Sequence, residues 1–237
     1  GLGRHDGVVV LVEDALPGQL VRAQVAAVRK SLAEAALVEV LERSPDEQEP
    51  PCPHAGRCGG CSWQSLAYGR QLAWKERIVH DALERVGKVA CPPMLPILPS
   101  PSEWGYRNKM EFAFGVSGDG GKALGLRERG SRNIVEVTGC LLQTPLTMRV
   151  LEAVRMLSNG AFHDLDGRFL VVREPNAGGC FVELIVGAGG SLEAGERFAE
   201  ALRAETPEVT GFALSERLAP SDVAYGERAL YADGRLE

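Results

Sequence analysis

Three thiols fall within ten residues, at Cys52, Cys58 and Cys61, and Gly59-Gly60 separates the last two. The backbone freedom of two glycines lets so short a segment turn both sulfurs toward one soft metal centre. A fourth ligand then has to come from elsewhere. Cys140 offers it, in Val137-Thr138-Gly139-Cys140, where a glycine again precedes the thiol at the end of a strand-like run. Four thiolates suit a structural zinc or an iron–sulfur cluster. Zinc sites commonly pair two close doublets, whereas a triplet with one remote cysteine is more usual for a cubane cluster. Six cysteines could form three disulfides, but a C-x5-C-x2-C loop in a 237-residue chain that opens on no secretion pattern favours metal. His54, a loop histidine beside a proline, reads as exposed.

With 45% hydrophobic residues the chain can bury a substantial core. No run of about 18 apolar residues suggests a membrane span, and a cytoplasmic monomer is expected. The first residues, Gly1-Leu2-Gly3, lack a methionine and read as a processed or trimmed start. The net charge of -6 argues against nucleic acid until its distribution is examined. Residues 1–50 hold five basic and nine acidic side chains, and residues 191–237 hold five and ten. Residues 51–190 therefore carry sixteen against thirteen, so the segment around the cysteines is the relatively cationic part.

Residues 7–13, 19–28 and 33–42 read as short strands, separated by Ala15-Leu16-Pro17-Gly18 and Arg29-Lys30-Ser31. That spacing suits a small OB-like β-barrel over residues 1–48. Ser44 to Pro51 is a polar, proline-rich hinge, and residues 49–237 form the second expected domain. An amphipathic helix is expected at 64–86, with Leu66, Leu72, Trp74, Ile78, Leu83 and Val86 near helical spacing and Gly87 as its cap. Cys91 to Pro101 holds too many prolines for either regular element. Strands are expected through Met110–Val116, Ala123–Glu128 and Ile134–Val137, the first two joined by Ser117-Gly118-Asp119-Gly120-Gly121-Lys122. Helices at 144–158 and 192–204 and strands at 168–173, 180–186 and 209–215 complete a mixed, largely antiparallel α+β domain. The last twenty residues give no assignment.

Two features imitate functional sites. Gly187-Ala188-Gly189-Gly190 follows a strand as a dinucleotide loop would, but Leu192 stands where the third glycine belongs and no acidic residue ends the next strand at the expected distance. Cys91 and Cys180 have no recognisable base nearby, so buried structural thiols are the plainer reading. No catalytic residue is identified.

Pro51-Cys52, Cys58-Gly59-Gly60-Cys61, Gln64, Gln71-Leu72, Lys75, Tyr106-Arg107-Asn108-Lys109, Gly125-Leu126 and Cys140 together resemble the RNA uridine-5-methyltransferase family, the rRNA and tRNA 5-methyluridine enzymes. The first 48 residues are similar to that family's TRAM domain, a small RNA-binding barrel. The resemblance implies a 4Fe-4S cluster on Cys52, Cys58, Cys61 and Cys140. It also implies S-adenosylmethionine as methyl donor, used on a flipped-out uracil that a cysteine attacks at C6. The family's donor-binding domain, catalytic cysteine and general base follow the matched region, so this chain alone is expected not to methylate RNA. Arg107 and Lys109, then Arg127 and Arg132, are expected to contact RNA; the competing reading pairs Arg107 and Lys109 with acidic neighbours. Rival functions are a zinc-dependent RNA-binding module, a TRAM-containing methylthiotransferase, whose C-x3-C-x2-C loop this sequence lacks, and a ferredoxin-like carrier.

Overall fold

The computed structural model describes residues 1–176, 178–187 and 190–234. Two compact units result: Gly1–Pro51 with Cys61–Pro101, and Cys52–Gly60 with Ser102–Glu237.

In the first unit β1 (Leu2–His5), β2 (Val8–Val12), β3 (Leu20–Arg29) and β4 (Leu32–Glu42) form one sheet in the order β1-β2-β4-β3. Strand β1 is additional to the three expected. It is joined to β2 by Asp6-Gly7, both at positive φ, which is the dipeptide of a tight hairpin. The β2–β4 pair is parallel and the others antiparallel. The expected closed barrel is not found among the described residues: the sheet is open, with β1 and β3 at its edges. Four strands fall short of the five that an OB-type barrel uses, and alternation along a strand cannot reveal whether its ends meet.

The helix expected at 64–86 begins later, as α1 (Tyr68–Asp81), and finishes in a π-helical turn at Ala82–Val86. Ala67, at its N-cap, offers no side-chain acceptor. The preceding turn is held instead by Gln71, whose Nε2 donates to the carbonyls of Leu66 (2.8 Å) and Trp63 (3.1 Å). The proline-rich connector doubles back along α1. Its Ile97 amide donates to Glu76 Oε1 (2.5 Å) and its Ser100 amide to the Tyr68 hydroxyl (2.8 Å).

The second unit is built on a seven-stranded sheet. Its members are β5 (Lys109–Val116), β6 (Lys122–Arg127), β7 (Ile134–Val135), β8 (Gly167–Arg173), β9 (Cys180–Val186), β10 (Val209–Glu216) and β11 (Arg228–Gly234), ordered β11-β10-β9-β8-β5-β6-β7. Only β9 and β10 run parallel, joined through α3 (Leu192–Glu205), so the largely antiparallel α+β expectation holds. Ala188 and Gly189 of the glycine-rich turn before α3 lie outside the described residues. Both helices of this unit start on hydroxyl caps: Thr144 accepts from the Thr147 amide at the head of α2 (Pro145–Asn159), and Ser191 from the Ala194 amide. Phe112, Leu170, Leu184 and Phe212 on one sheet face pack with Val150, Leu151, Phe198 and Leu202 from the helices. A smaller cluster of Ala113, Ile134, Phe169, Val171 and Ile185 lies apart from it.

Strand β11, in the stretch without a sequence assignment, is held at its end by an ionic clamp on Asp233, and Arg228 also pairs with Glu216 of β10 at 2.8 Å. Asp233 takes two guanidinium donors from Arg203 (2.7 and 2.5 Å), the Tyr231 hydroxyl (2.6 Å) and the Phe212 amide (3.2 Å). Chiefly because of Arg203, and against an upward push from burial, the Asp233 carboxyl is lowered to about 2. A depressed acid stabilises the fold above its unfolded pKa and ceases to do so as pH falls toward the folded one. Asp233→Asn should therefore cost about 2 kcal/mol at pH 7. The gap to the parent should narrow between pH 4 and about 2, where the parent's own clamp is protonated; urea midpoints across that range measure it, and a pH-independent gap would refute the assignment.

Candidate nucleic-acid interface and cysteine loop

The loop Cys52–Gly60 folds on itself first. The Ala55 amide donates to the Cys52 carbonyl (3.0 Å), and those of Arg57 and Cys58 to His54 (3.2 and 2.9 Å), with Gly56 in the left-handed region that the bend requires. The loop then pairs with the end of β6. Cys58 forms an antiparallel bridge with Glu128, the Gly59 amide donates to the Arg127 carbonyl (2.9 Å), and the Arg129 amide to the Arg57 carbonyl (2.8 Å). A Cβ on Gly59 would stand 3.3 Å from the Arg127 carbonyl oxygen, so a bare backbone is what lets the loop lie this close.

A second anchor reaches toward Cys140. The Thr138 amide lies 3.1 Å from His54 Nε2, and Thr138 stands two residues before Cys140. The Gly60 amide donates to Cys58 Sγ at 3.4 Å. Glu128 closes the turn after β6: Ser131 and Asn133 donate to its carboxylate, and these bonds, more than Arg57, hold its carboxyl below the usual range. Cys52, Cys58 and Cys140 are thus on segments tied together within the second unit, while Cys61 follows Cys58 by three residues in the chain. Among the described residues no three His, Cys, Asp or Glu side chains converge as a metal-holding group.

Beside the loop lies a cleft of about 420 Å3. Gly59 and Gly60 form one wall, Met110 and Leu126 contribute apolar surface, and Arg107, Lys109, Arg127 and Glu111 supply charge. Three of the four residues expected to meet RNA therefore share one concavity. Arg132 does not line it; its carbonyl accepts from Arg127 Nη1 (2.7 Å), and Arg127 Nη2 meets Asp222 (2.5 Å). Lys109 pairs with Glu111 at 2.5 Å, as the competing reading held, whereas Arg107 Nη1 rests 3.9 Å from the Met110 sulfur. Glu111 escaped the sequence reading. Its signal was positional, two residues after Lys109 on a strand, where alternation puts both side chains on one face.

Cys180 is buried, and burial, with Glu174 and Glu208 adding to it, pushes its thiol up to about 12. A thiol so reluctant to ionise is no nucleophile. No described helix is long and apolar enough to cross a membrane.

Comparison with known proteins finds sequence similarity to proteins named RNA methyltransferases. A protein of Nitratidesulfovibrio vulgaris named an uncharacterized RNA methyltransferase is 45% identical over 98% of this chain and 52% of its own length. Proteins of the same name from Caldanaerobacter subterraneus and a Synechocystis strain are 32% and 30% identical over 99% of this chain, covering 53% and 52% of theirs. The chain spans about half the length of these relatives. No family model matches it.

Proposed function

We propose that this chain is the RNA-binding and cysteine-loop portion of an S-adenosylmethionine-dependent RNA (uracil-5-)-methyltransferase acting on rRNA or tRNA. The observation that carries the reading is 45% identity along 98% of the chain to a protein named an RNA methyltransferase. The cleft adds a physical reason, since it sets three cations against one carboxylate on a concave surface, as contact with a phosphate backbone favours. Methyl transfer itself is assigned to residues outside this chain, which alone is proposed to be inactive.

Cys52, Cys58, Cys61 and Cys140 are proposed to hold a 4Fe-4S cluster. The donor set fits, being four soft thiolates. So does the anchoring of the loop, by Gly59 to β6 and by His54 to the segment before Cys140. The cluster's contribution is structural: it would fasten the loop where Gly59 lies against the end of β6.

One preparation tests both parts. Anaerobically purified protein should carry about four irons and four sulfides per chain, and a Cys140→Ser variant should lose them. Zinc in equal amount with no sulfide would favour the zinc-dependent module instead. Single-stranded RNA should bind more weakly, and with a flatter salt slope, when Arg107 and Lys109 are both changed to Ala, by about 0.7 for each phosphate contact removed. An unchanged slope would remove those two residues from the interface.

A further inference from the structure

The cleft has a chemical asymmetry that phosphate binding does not use. Lys109 and Glu111 stand on one face of β5, two residues apart, with Nζ and Oε1 2.5 Å from each other. Both side chains are substantially exposed, so the pair is open to a ligand. Read across, it offers an ammonium donor next to a carboxylate with two acceptor oxygens. Beside it Arg107 presents a planar guanidinium that lies against the Met110 sulfur and, among the described residues, has no carboxylate partner. Such a plane can stack on a base or meet a phosphate.

The four bases differ in how they answer that array. On its Watson–Crick edge guanine presents an acceptor, O6, and then two adjacent donors, N1–H and N2–H2. That order complements an ammonium followed by a carboxylate. Uracil's single N3–H is flanked by two carbonyl oxygens, which a carboxylate repels. Adenine and cytosine each set one amino donor beside a ring-nitrogen acceptor, so only half of the carboxylate is satisfied. A cleft of about 420 Å3 lies toward the small end of the roughly 300–1,000 Å3 typical of small-ligand pockets. It accommodates one nucleotide, not a duplex.

We infer that the cleft beside the cysteine loop selects a single unstacked guanine nucleotide, with Lys109 on O6, Glu111 on N1–H and N2–H2, and Arg107 on its plane or phosphate. The inference rests on the RNA-binding reading above and adds to it a specificity-determining site for a nucleotide other than the methylated uridine. Single-stranded positions of RNA are the ones open to such edge reading.

The experiment uses the whole chain and four fluorescent heptanucleotides, three uridines on either side of U, A, C or G. Guanine at the centre should tighten binding about tenfold over uridine, as one well-matched base contact does. Inosine, which lacks the N2 amine, should give back about a third to a half of that gain on a logarithmic scale. Glu111→Gln should bring all four within about twofold, with circular dichroism confirming its fold, while Arg107→Ala should weaken all of them and leave guanine preferred. Equal affinity for the four heptamers, or a guanine preference that survives in Glu111→Gln, overturns the inference and leaves RNA binding standing. Failure of the parent chain to bind any heptamer overturns the RNA-binding reading, and the inference with it.

Discussion

Replacing Phe198 with Ala lowers the unfolding free energy of the second unit by about 3–5 kcal/mol. Phe198 is wholly buried on α3 and lies at the centre of an aromatic row. Its ring meets Phe162 edge-on at 4.8 Å between centroids and stacks on Phe212 at 5.5 Å, and Phe212 in turn tilts toward Tyr231 at 6.3 Å. Truncation removes the apolar area of one ring, two aromatic pairings and the support beneath β10, and it leaves a void that helix and sheet can close only in part. The expected loss is a large share of the 5–15 kcal/mol that stabilises a typical domain. Urea titration of parent and variant, followed by near-ultraviolet dichroism, measures it. A fall below about 1 kcal/mol would mean that the row is not packed as described, whereas Phe198→Leu should recover more than half of the loss.

Gly125→Ala should be nearly as severe for a different reason. A Cβ built at this position stands 2.1 Å from the Val135 carbonyl oxygen and 3.1 Å from Ile134 Cγ2. Neither backbone can withdraw without breaking the short β6–β7 pairing, which consists of Leu126 with Val135 and Arg127 with Ile134. Arg155 spans the same seam, donating to the carbonyls of Leu124 (2.9 and 2.8 Å) and Val137 (3.1 Å). The expected cost is about 3 kcal/mol, the upper part of the range for overpacking. Because Arg127 also accepts the Gly59 amide, proteolysis near the cysteine loop should accelerate as well. Unaltered stability would show that β7 can be displaced without consequence.

Individual elements of this fold were legible where a residue has a purely local role. The helix expected at 144–158 is α2 (Pro145–Asn159), and the strands expected at 168–173, 180–186 and 209–215 match β8, β9 and β10 within a residue. Asp6-Gly7 carried the signal for β1, although the brief run Leu2–His5 offered no alternation to confirm it. What escaped depends on partners distant in sequence. Barrel closure is decided by whether edge strands meet, and β11 is held by an arginine thirty residues earlier, in α3. At the candidate site the motif around Arg107 and Lys109 was visible, but not the sharing of a cleft by Arg127 or the exclusion of Arg132. Those follow from which strand end the cysteine loop lies against.

The bond between His54 and Thr138 spans 84 residues, and the intervening Cys61–Pro101 segment belongs to the other unit. Closing so long a stretch costs chain entropy before any contact repays it, so this pairing is expected to form late. On a ribosome the Cys52–Gly60 loop emerges early and waits, with its thiols accessible, until β6, β7 and the residues up to Cys140 have been made. We therefore expect the docking of this loop against the end of β6 to be a late step of folding, following the assembly of the sheet that supplies its partner strand.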